Sequence, residues 1–246
     1  RVPRPVACCQ GDSPFYVMER VRGRILRGAN GLDPDAMRNL SEELVDRLAE
    51  LHSLDTTPFA DLGRPEGYVE RQVRGWAERW RKAATEEDTP AEEVIRWLQD
   101  RVPASHRTAL IHNDFKYDNL VLDSDHKVAA VLDWEMATLG DPLMDLGTTL
   151  GYWVEAGDPP ELQALGFGPT FLPGNLTRSE LAERYARTTG ACLDPLGFYR
   201  VFGLFKIAVI GQQIYARYRR GHTSDPRFAS LDVAVRLLLQ QATSGG

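Results

Sequence analysis

The densest group of chemically capable side chains in this sequence lies between residues 112 and 135. Residues 112–119 read HNDFKYDN, and residues 132–135 read LDWE. Within this stretch, Asp114 can accept a proton, and Lys116 can offset negative charge. Asn119 and Asp133 offer amide and carboxylate oxygens, which suit a hard cation such as Mg²⁺.

Two short apolar runs, 119–122 and 128–132, separate these groups, and the polar residues 123–126 lie between the runs. This pattern predicts a β-hairpin. Because a hairpin brings its two open ends together, we expect Asn119 and Asp133 to face one cavity with Asp114 beside them. A carboxylate and an amide could then hold Mg²⁺ jointly with phosphate oxygens, which indicates a phosphoryl-transfer site.

The composition is that of an ordinary soluble globular protein with one or two domains. The chain has 246 residues, of which 43% are hydrophobic and 26% are charged, and its formal net charge is −6. We do not expect a nucleic acid partner, since such binding draws on a surplus of Lys and Arg. The apolar run from Phe198 to Tyr215 is interrupted by Lys206, so it predicts a buried helix rather than a membrane span.

Three cysteines, Cys8, Cys9 and Cys192, show neither metal-ligand spacing nor a disulfide framework. We therefore expect reduced thiols in a cytoplasmic protein.

The elements around the hairpin are predicted to be mostly helical. Asp33 and Pro34 begin a helix that continues through Leu51, and Pro14–Arg22 reads as a strand. Further helices are predicted at 65–84, 91–101, 177–189, 194–218 and 226–241, with a polar connection at 85–88. Trp76, Trp80 and Trp97 could serve helix packing or line an acceptor pocket.

The polar stretch resembles a known family. His-x-Asp-x-Lys-x-x-Asn, followed by an Asp at the end of the next strand, resembles the catalytic loop and metal-binding Asp of the protein-kinase-like fold. The variant with Asp133-Trp134-Glu135 and Asp141-Pro142-x-x-Asp145 is similar to the aminoglycoside phosphotransferase and choline kinase family. Residues 111–146 most resemble its bacterial branch related to kinase domains linked to acyl-CoA dehydrogenases.

This resemblance implies an α+β, protein-kinase-like fold. Residues 1–22 would be a remnant of the N-terminal lobe with its hinge strand. Residues 23–246 would form the helix-rich C-terminal lobe, with an embedded β-hairpin, the catalytic loop and the acceptor pocket. The implied roles are a catalytic base (Asp114), a lysine near the γ-phosphate (Lys116), a bracing histidine (His112), Mg²⁺ ligands (Asn119, Asp133) and anchors of the loop (Asp141, Asp145).

Residues 15–23 resemble the strand and hinge that join the two kinase lobes. The resemblance implies that backbone groups of Glu19 and Val21 bind adenine, with Met18 close to the base. The phosphate-covering loop, the strand Lys and the helix Glu of an N-terminal lobe are not found before Pro14. We expect either that the rest of this lobe lies upstream or that the chain is a degenerate relative.

The sequence therefore predicts an ATP-dependent, or GTP-dependent, small-molecule phosphotransferase that moves the γ-phosphate to an acceptor hydroxyl with Mg²⁺. The alternative is a catalytically inactive nucleotide-binding or interaction module of the same fold. Aminoglycosides, choline-like amines, sugars and hydroxyacyl thioesters all stay open as acceptors. Their pocket is expected to form from residues 58–100 and 170–218, and the oligomeric state is not readable from the sequence.

Overall fold

The computed structural model describes residues 1–28, 30–85, 90–104 and 107–244. Within them lie helices α1 (Pro34–His52), α2 (Tyr68–Ala83), α3 (Ala91–Asp100), α4 (Pro142–Tyr152), α5 (Pro160–Gln163), α6 (Arg178–Thr189), α7 (Leu196–Arg219) and α8 (Leu231–Ser244). The strands are β1 (Pro5–Cys9), β2 (Phe15–Met18), β3 (Ala109–Ile111), β4 (Leu120–Leu122), β5 (Val128–Val131) and β6 (Thr138–Gly140). The predicted helix-rich α+β class is confirmed, whereas most of the predicted connection at 85–88 lies outside the described residues.

Helix starts follow the polar caps that the sequence carries. The Asp33 side chain accepts a hydrogen bond from the Ala36 amide at 3.0 Å, and Pro34 occupies the first turn of α1. Thr177 and Glu180 form a reciprocal capping box at the start of α6. Both predicted helix starts are confirmed, because these side chains satisfy amides that the first turn leaves unpaired.

The predicted hairpin is confirmed as β4 and β5, with Leu120 opposite Val131. In its turn, the Asp123 carboxylate accepts hydrogen bonds from the amides of Asp125 and Lys127, each at 2.9 Å. The N-terminal segment pairs with both outer edges of this hairpin. Arg24 exchanges two 2.8 Å backbone hydrogen bonds with Leu122, and the Val131 amide donates to the Arg1 carbonyl at 2.9 Å.

Two strand pairings were absent from the sequence-based prediction. β1 pairs antiparallel with β2, which is shorter than the predicted strand 14–22, and β3 pairs with β6. β3 and β6 have three residues each, so neither is long enough to show a period-two pattern. All residues of β1 and β2 are exposed, and the ribbon includes the free cysteines Cys8 and Cys9.

The core is built around α7, which packs closely against α4. A Cβ atom at Gly203 would lie 2.3 Å from the Gly147 carbonyl oxygen, so the two backbones approach to a distance that admits only glycine. This crossing fixes α7, which carries the buried Lys206, against α4, which carries the buried Asp145. No helix among the described residues is both long and apolar enough to cross a membrane.

We predict that Gly203→Ala lowers the free energy of unfolding by about 1–3 kcal/mol, because the added methyl group would overlap the Gly147 carbonyl. Gly197→Ala is the matched control in the same helix, since a Cβ atom there meets nothing within 4 Å. Urea unfolding measures both changes. Equal stability of the two variants would contradict the close backbone contact.

Candidate active site

The Asp114 carboxylate is the centre of the polar cluster at the open end of the hairpin. The Lys116 ammonium donates to its Oδ2 at 2.9 Å, and the Asn119 amide donates to the same oxygen at 3.0 Å. Only 18% of the Asp114 side chain is exposed, and the hydrogen bonds from Lys116 and Asn119 stabilise its negative charge in this partly buried position. The carboxylate is thereby held in one orientation at the edge of a polar space.

A buried tyrosine borders the same carboxylate and its lysine. The Lys116 ammonium lies 4.3 Å from the centre of the Tyr152 ring. Burial raises the pKa of Tyr152 well above its ordinary value, and the neighbouring Asp114 carboxylate raises it further. Tyr152 therefore stays neutral and forms an uncharged wall beside the Asp114–Lys116 pair.

His112 is fully buried and joins the loop to the second strand of the hairpin. Its Nε2 lies 2.8 Å from the Leu132 carbonyl oxygen, and its Nδ1 lies 3.2 Å from the Asp114 amide. The Leu132 carbonyl can only accept a hydrogen bond, and the Asp114 amide can only donate one. The neutral ring must therefore carry its proton on Nε2. His112 also packs against Trp134 with ring centres 4.8 Å apart.

Asp145, in α4, anchors the start of the loop from beneath. Its carboxylate accepts from the His112 amide at 2.6 Å and from the Asn113 amide at 2.9 Å. His52 Nε2 lies 3.2 Å from the same carboxylate, and His52 Nδ1 lies 2.7 Å from the Tyr185 hydroxyl. Burial disfavours the charge on Asp145, but the hydrogen bonds from His52 and from the backbone amides outweigh burial and hold the pKa of Asp145 below its usual value.

Asp141 does not share this anchoring role, which the family resemblance had implied for it. Its Oδ1 accepts from the Leu143 amide at 2.8 Å and caps α4, and its Oδ2 accepts from the Tyr199 hydroxyl at 2.8 Å. Asp141 therefore fixes the start of α4 against α7. It acts on the catalytic loop only through the position of Asp145.

Asn119 and Asp133 lie at adjoining positions across the mouth of the hairpin. The Leu132 amide donates to the Asn119 carbonyl at 2.8 Å, so Asp133 follows directly after the residue paired with Asn119. The Asn119 side-chain nitrogen donates to the Asp114 carbonyl oxygen at 2.8 Å as well as to its carboxylate. Because both partners are acceptors, the amide orientation is fixed, and the Asn119 Oδ1 is directed away from these two Asp114 oxygens.

These two side chains suit Mg²⁺. The Asn119 Oδ1 and the exposed Asp133 carboxylate are both oxygen ligands, and Mg²⁺ commonly takes one or two protein oxygens together with substrate phosphates. Across residues 1–28, 30–85, 90–104 and 107–244, no group of three or more His, Cys, Asp or Glu residues could hold a metal ion.

The backbone is left-handed at two positions of this cluster. Asn113 has φ of 68° and Asp133 has φ of 66°. Asn and Asp tolerate this conformation better than other non-glycine residues. Such backbone strain is commonly stored at functional sites, where the surrounding contacts hold it.

The predicted adenine-binding residues lie on the N-terminal ribbon and just after it. Met18 ends β2 and is 42% exposed. The Glu19 amide donates to the Arg4 carbonyl at 2.9 Å, so the Glu19 carbonyl is the group left for a ligand. The Val21 amide has no hydrogen-bond partner among the described residues. Val21 lies three residues before Arg24, which pairs with β4.

A cavity of about 410 Å³ opens next to the loop. Asn113 lines it from the loop, and Trp76 lines it from α2, whereas Trp80 and Trp97 do not. Lys206 also lines this cavity, and its ammonium donates to the Asn113 carbonyl. Burial lowers the pKa of Lys206 to about 8.

Sequence reasoning did not single out Lys206, Tyr152 or His52 as parts of the site. For Lys206 a signal existed, because it is the one charged residue between Phe202 and Ala216 in an otherwise largely apolar helix. Tyr152 and His52 carried no comparable local signal, since only the tertiary fold brings them to the loop.

Comparison with known proteins yields relatives over nearly the whole chain. The sequence profile of the phosphotransferase enzyme family matches residues 1–183. Acyl-CoA dehydrogenase family member 11 of Gallus gallus is 37% identical over 242 residues, which cover 91% of this chain and 30% of that protein. The Homo sapiens protein of the same name is 34% identical, with the same coverage of both chains. The chain thus spans less than a third of the length of these relatives.

Solved structures agree with this comparison. A Ralstonia eutropha protein described as a "putative aminoglycoside phosphotransferase" is 27% identical, with a TM-score of 0.87 over 99% of this chain and 77% of its own. A choline kinase from Streptococcus pneumoniae shares the fold, with a TM-score of 0.60 at 14% identity over 99% of this chain and 74% of its own. With its protein-kinase-like fold and its matched profile, the chain belongs to the phosphotransferase enzyme family.

Proposed function

We propose that this chain transfers the γ-phosphate of ATP, or of GTP, to a hydroxyl group of a small molecule. The observation that carries this proposal is the convergence of Asp114, Asn119 and Asp133 at the open end of one hairpin. A structural domain needs no such convergence of oxygen ligands beside an oriented carboxylate. Membership in the phosphotransferase family supports the same reaction class.

Each side chain has a role that its contacts suit. Asp114 would accept the proton of the acceptor hydroxyl, or orient that hydroxyl, because its carboxylate is fixed by Lys116 and Asn119. Lys116 would offset charge on the transferred phosphoryl group while it holds Asp114. His112 would keep the loop in register with the strand that leads to Asp133.

Asn119 and Asp133 would hold the metal, and Mg²⁺ would reduce the negative charge of the phosphates. Lys116 lies three residues before Asn119, so the lysine and the metal would both bring positive charge to the phosphates at the hairpin mouth. The base and the charge-neutralising groups are therefore arranged before substrate binds, which is how positioning lowers the barrier to phosphoryl transfer.

The proposed nucleotide contacts lie on the segment that leads from the ribbon to the hairpin. The Glu19 carbonyl would accept from the adenine amino group, and the Val21 amide would donate to a ring nitrogen. Met18 would pack against the base. Because the segment pairs with β4 at Arg24, nucleotide and catalytic loop would be held to the same hairpin.

We predict that Asp114→Asn lowers kcat by about 10²- to 10⁴-fold, the usual contribution of a positioned proton acceptor. The affinity for ATP should stay within about twofold, since Asp114 faces the acceptor. Steady-state transfer from radiolabelled ATP gives kcat, and equilibrium titration gives the affinity. Asp125→Asn, in the exposed turn at the far end of the hairpin, is the control with unchanged activity. Full activity of Asp114→Asn would disprove the assigned role.

We predict that Val21→Pro weakens ATP binding about two- to tenfold, because proline removes the amide donor and one hydrogen bond contributes about 0.5–1.5 kcal/mol. Val21→Ala keeps the amide and should bind ATP as the unchanged protein does. Nucleotide affinity is measured by calorimetry with the full-length protein. If both variants bind equally well, Val21 does not contact the base through its amide.

The inactive-module alternative makes a different forecast for these experiments. A module without catalysis would bind nucleotide through Val21 and yet transfer no phosphate to any hydroxyl compound. Asp114→Asn would then have no measurable effect, which separates the two proposals.

A further inference from the structure

The 410 Å³ cavity lies beside the loop that carries Asp114. Asn113, the residue directly before Asp114, forms part of its wall. Glu135 and Met136, which follow Asp133 closely, form another part. Chain neighbours of the proposed base and of the proposed metal ligand therefore line this cavity, whereas Asp114 and Asp133 themselves do not.

The charges that line this cavity are unbalanced. Three arginines, Arg64, Arg71 and Arg79, and Lys206 face it, against the single carboxylate of Glu135. A chain of formal net charge −6 gives no general reason for four cationic side chains to gather at one cavity. A concave site with one sign of charge concentrates ligands of the opposite sign.

The three arginines have no acidic partner within the part of the chain that the structure describes. Instead, the Arg71 guanidinium donates to the backbone carbonyls of Arg64 and Glu66. The Arg79 guanidinium carbon lies 4.6 Å from the centre of the Trp76 ring. These contacts orient the two guanidinium groups without neutralising them.

Lys206 makes the floor of the cavity cationic as well. Lys206 is only 2% exposed, and among the described residues its ammonium has one hydrogen-bond acceptor, the Asn113 carbonyl, although it carries three donors. The Trp76 ring lies 5.7 Å from the same ammonium. An anionic group in the cavity would supply the acceptors that this buried ammonium lacks.

We propose that this cavity binds the acceptor and that the acceptor carries an anionic group, a carboxylate or a phosphate, in addition to its hydroxyl, an inference that rests on the proposed function. Arg79 and Arg64 bind the anionic group at the rim, and Lys206 attracts it from the floor. The hydroxyl is then directed to Asp114 across Asn113. Cationic acceptors such as amino alcohols or aminoglycosides would place ammonium groups among guanidinium groups, so the cavity selects against them.

The test uses the full-length protein with ATP, Mg²⁺ and a set of hydroxyl compounds that holds equal numbers of carboxylates, phosphate monoesters, neutral alcohols and cationic amino alcohols. We expect kcat/KM for anionic members to exceed that for neutral members of the same size by about tenfold or more, the value of one charge-assisted hydrogen bond. The carboxylate and phosphate arms show which anion is preferred. Equal or better use of neutral or cationic members would overturn the inference.

Variants of two arginines of α2 show whether the cavity is responsible. Arg79→Gln should raise KM for the best anionic acceptor about five- to tenfold with little change in kcat, and Arg79→Lys should restore part of the affinity. Arg74→Gln is the matched control, because Arg74 is an exposed arginine of α2 that does not line the cavity. Equal KM values for Arg79→Gln and Arg74→Gln would overturn the assignment of this cavity.

Anion binding is also measured without nucleotide, so that it stands apart from the phosphotransferase reaction. Glycerate and glycerol 3-phosphate are titrated by calorimetry against glycerol and choline, at low and at high salt. We expect glycerate and glycerol 3-phosphate to bind, and glycerol and choline not to bind. The two anions should bind less tightly at high salt, and less tightly to Arg79→Gln than to the unchanged protein. Failure of both anions to bind overturns the inference, whereas anion binding without transfer from ATP would contradict the proposed function instead.

Discussion

The buried carboxylate of Asp145 is the interaction on which the site depends. It accepts hydrogen bonds from the amides of His112 and Asn113 and from the His52 ring. These hydrogen bonds hold the pKa of Asp145 low in spite of complete burial. A buried charge that is hydrogen-bonded so fully cannot move without exposing unpaired groups, which is costly. The start of the loop at residues 112–119 is therefore fixed to α4, and α4 is fixed to α7 where Gly147 meets Gly203.

Beyond Asp145, further hydrogen bonds fix the next residues of the loop. Asn113 is held at its amide by Asp145, at its carbonyl by Lys206 and at its side chain by the Met136 carbonyl, which keeps its left-handed backbone in place. Asp114 then takes up the position in which Lys116 and Asn119 donate to its carboxylate. The anionic Asp145 and the cationic Lys206 thus both hydrogen-bond to Asn113, the residue before the proposed base. The same Lys206 gives the neighbouring cavity its positive floor, so loop geometry and the charge of the cavity share a cause.

Much of this arrangement was predictable because local rules dictate it. The hairpin, the caps at Asp33 and Thr177 and the buried α7 follow from turn residues, polar caps and apolar spacing, and all are found in the structure. The pairing of β3 with β6 was not predictable, because three-residue strands form only when tertiary contacts place them side by side. Asp141 was expected to anchor the loop, but its own helix start binds one oxygen and Tyr199 binds the other. The cationic cavity was not predictable because Lys206 is distant in the chain from Arg64 and Arg79, and only folding brings it to the space that they line.

In the proposed function, the mouth of the hairpin binds a nucleotide together with Mg²⁺ through Asp133. Calorimetric titration of ATP into the full-length protein, with and without Mg²⁺, tests it most directly when Asp133→Ala is titrated in parallel. We expect tight ATP binding that requires Mg²⁺ and that Asp133→Ala loses. Absence of Mg²⁺-dependent binding of either ATP or GTP by the full-length protein would contradict it.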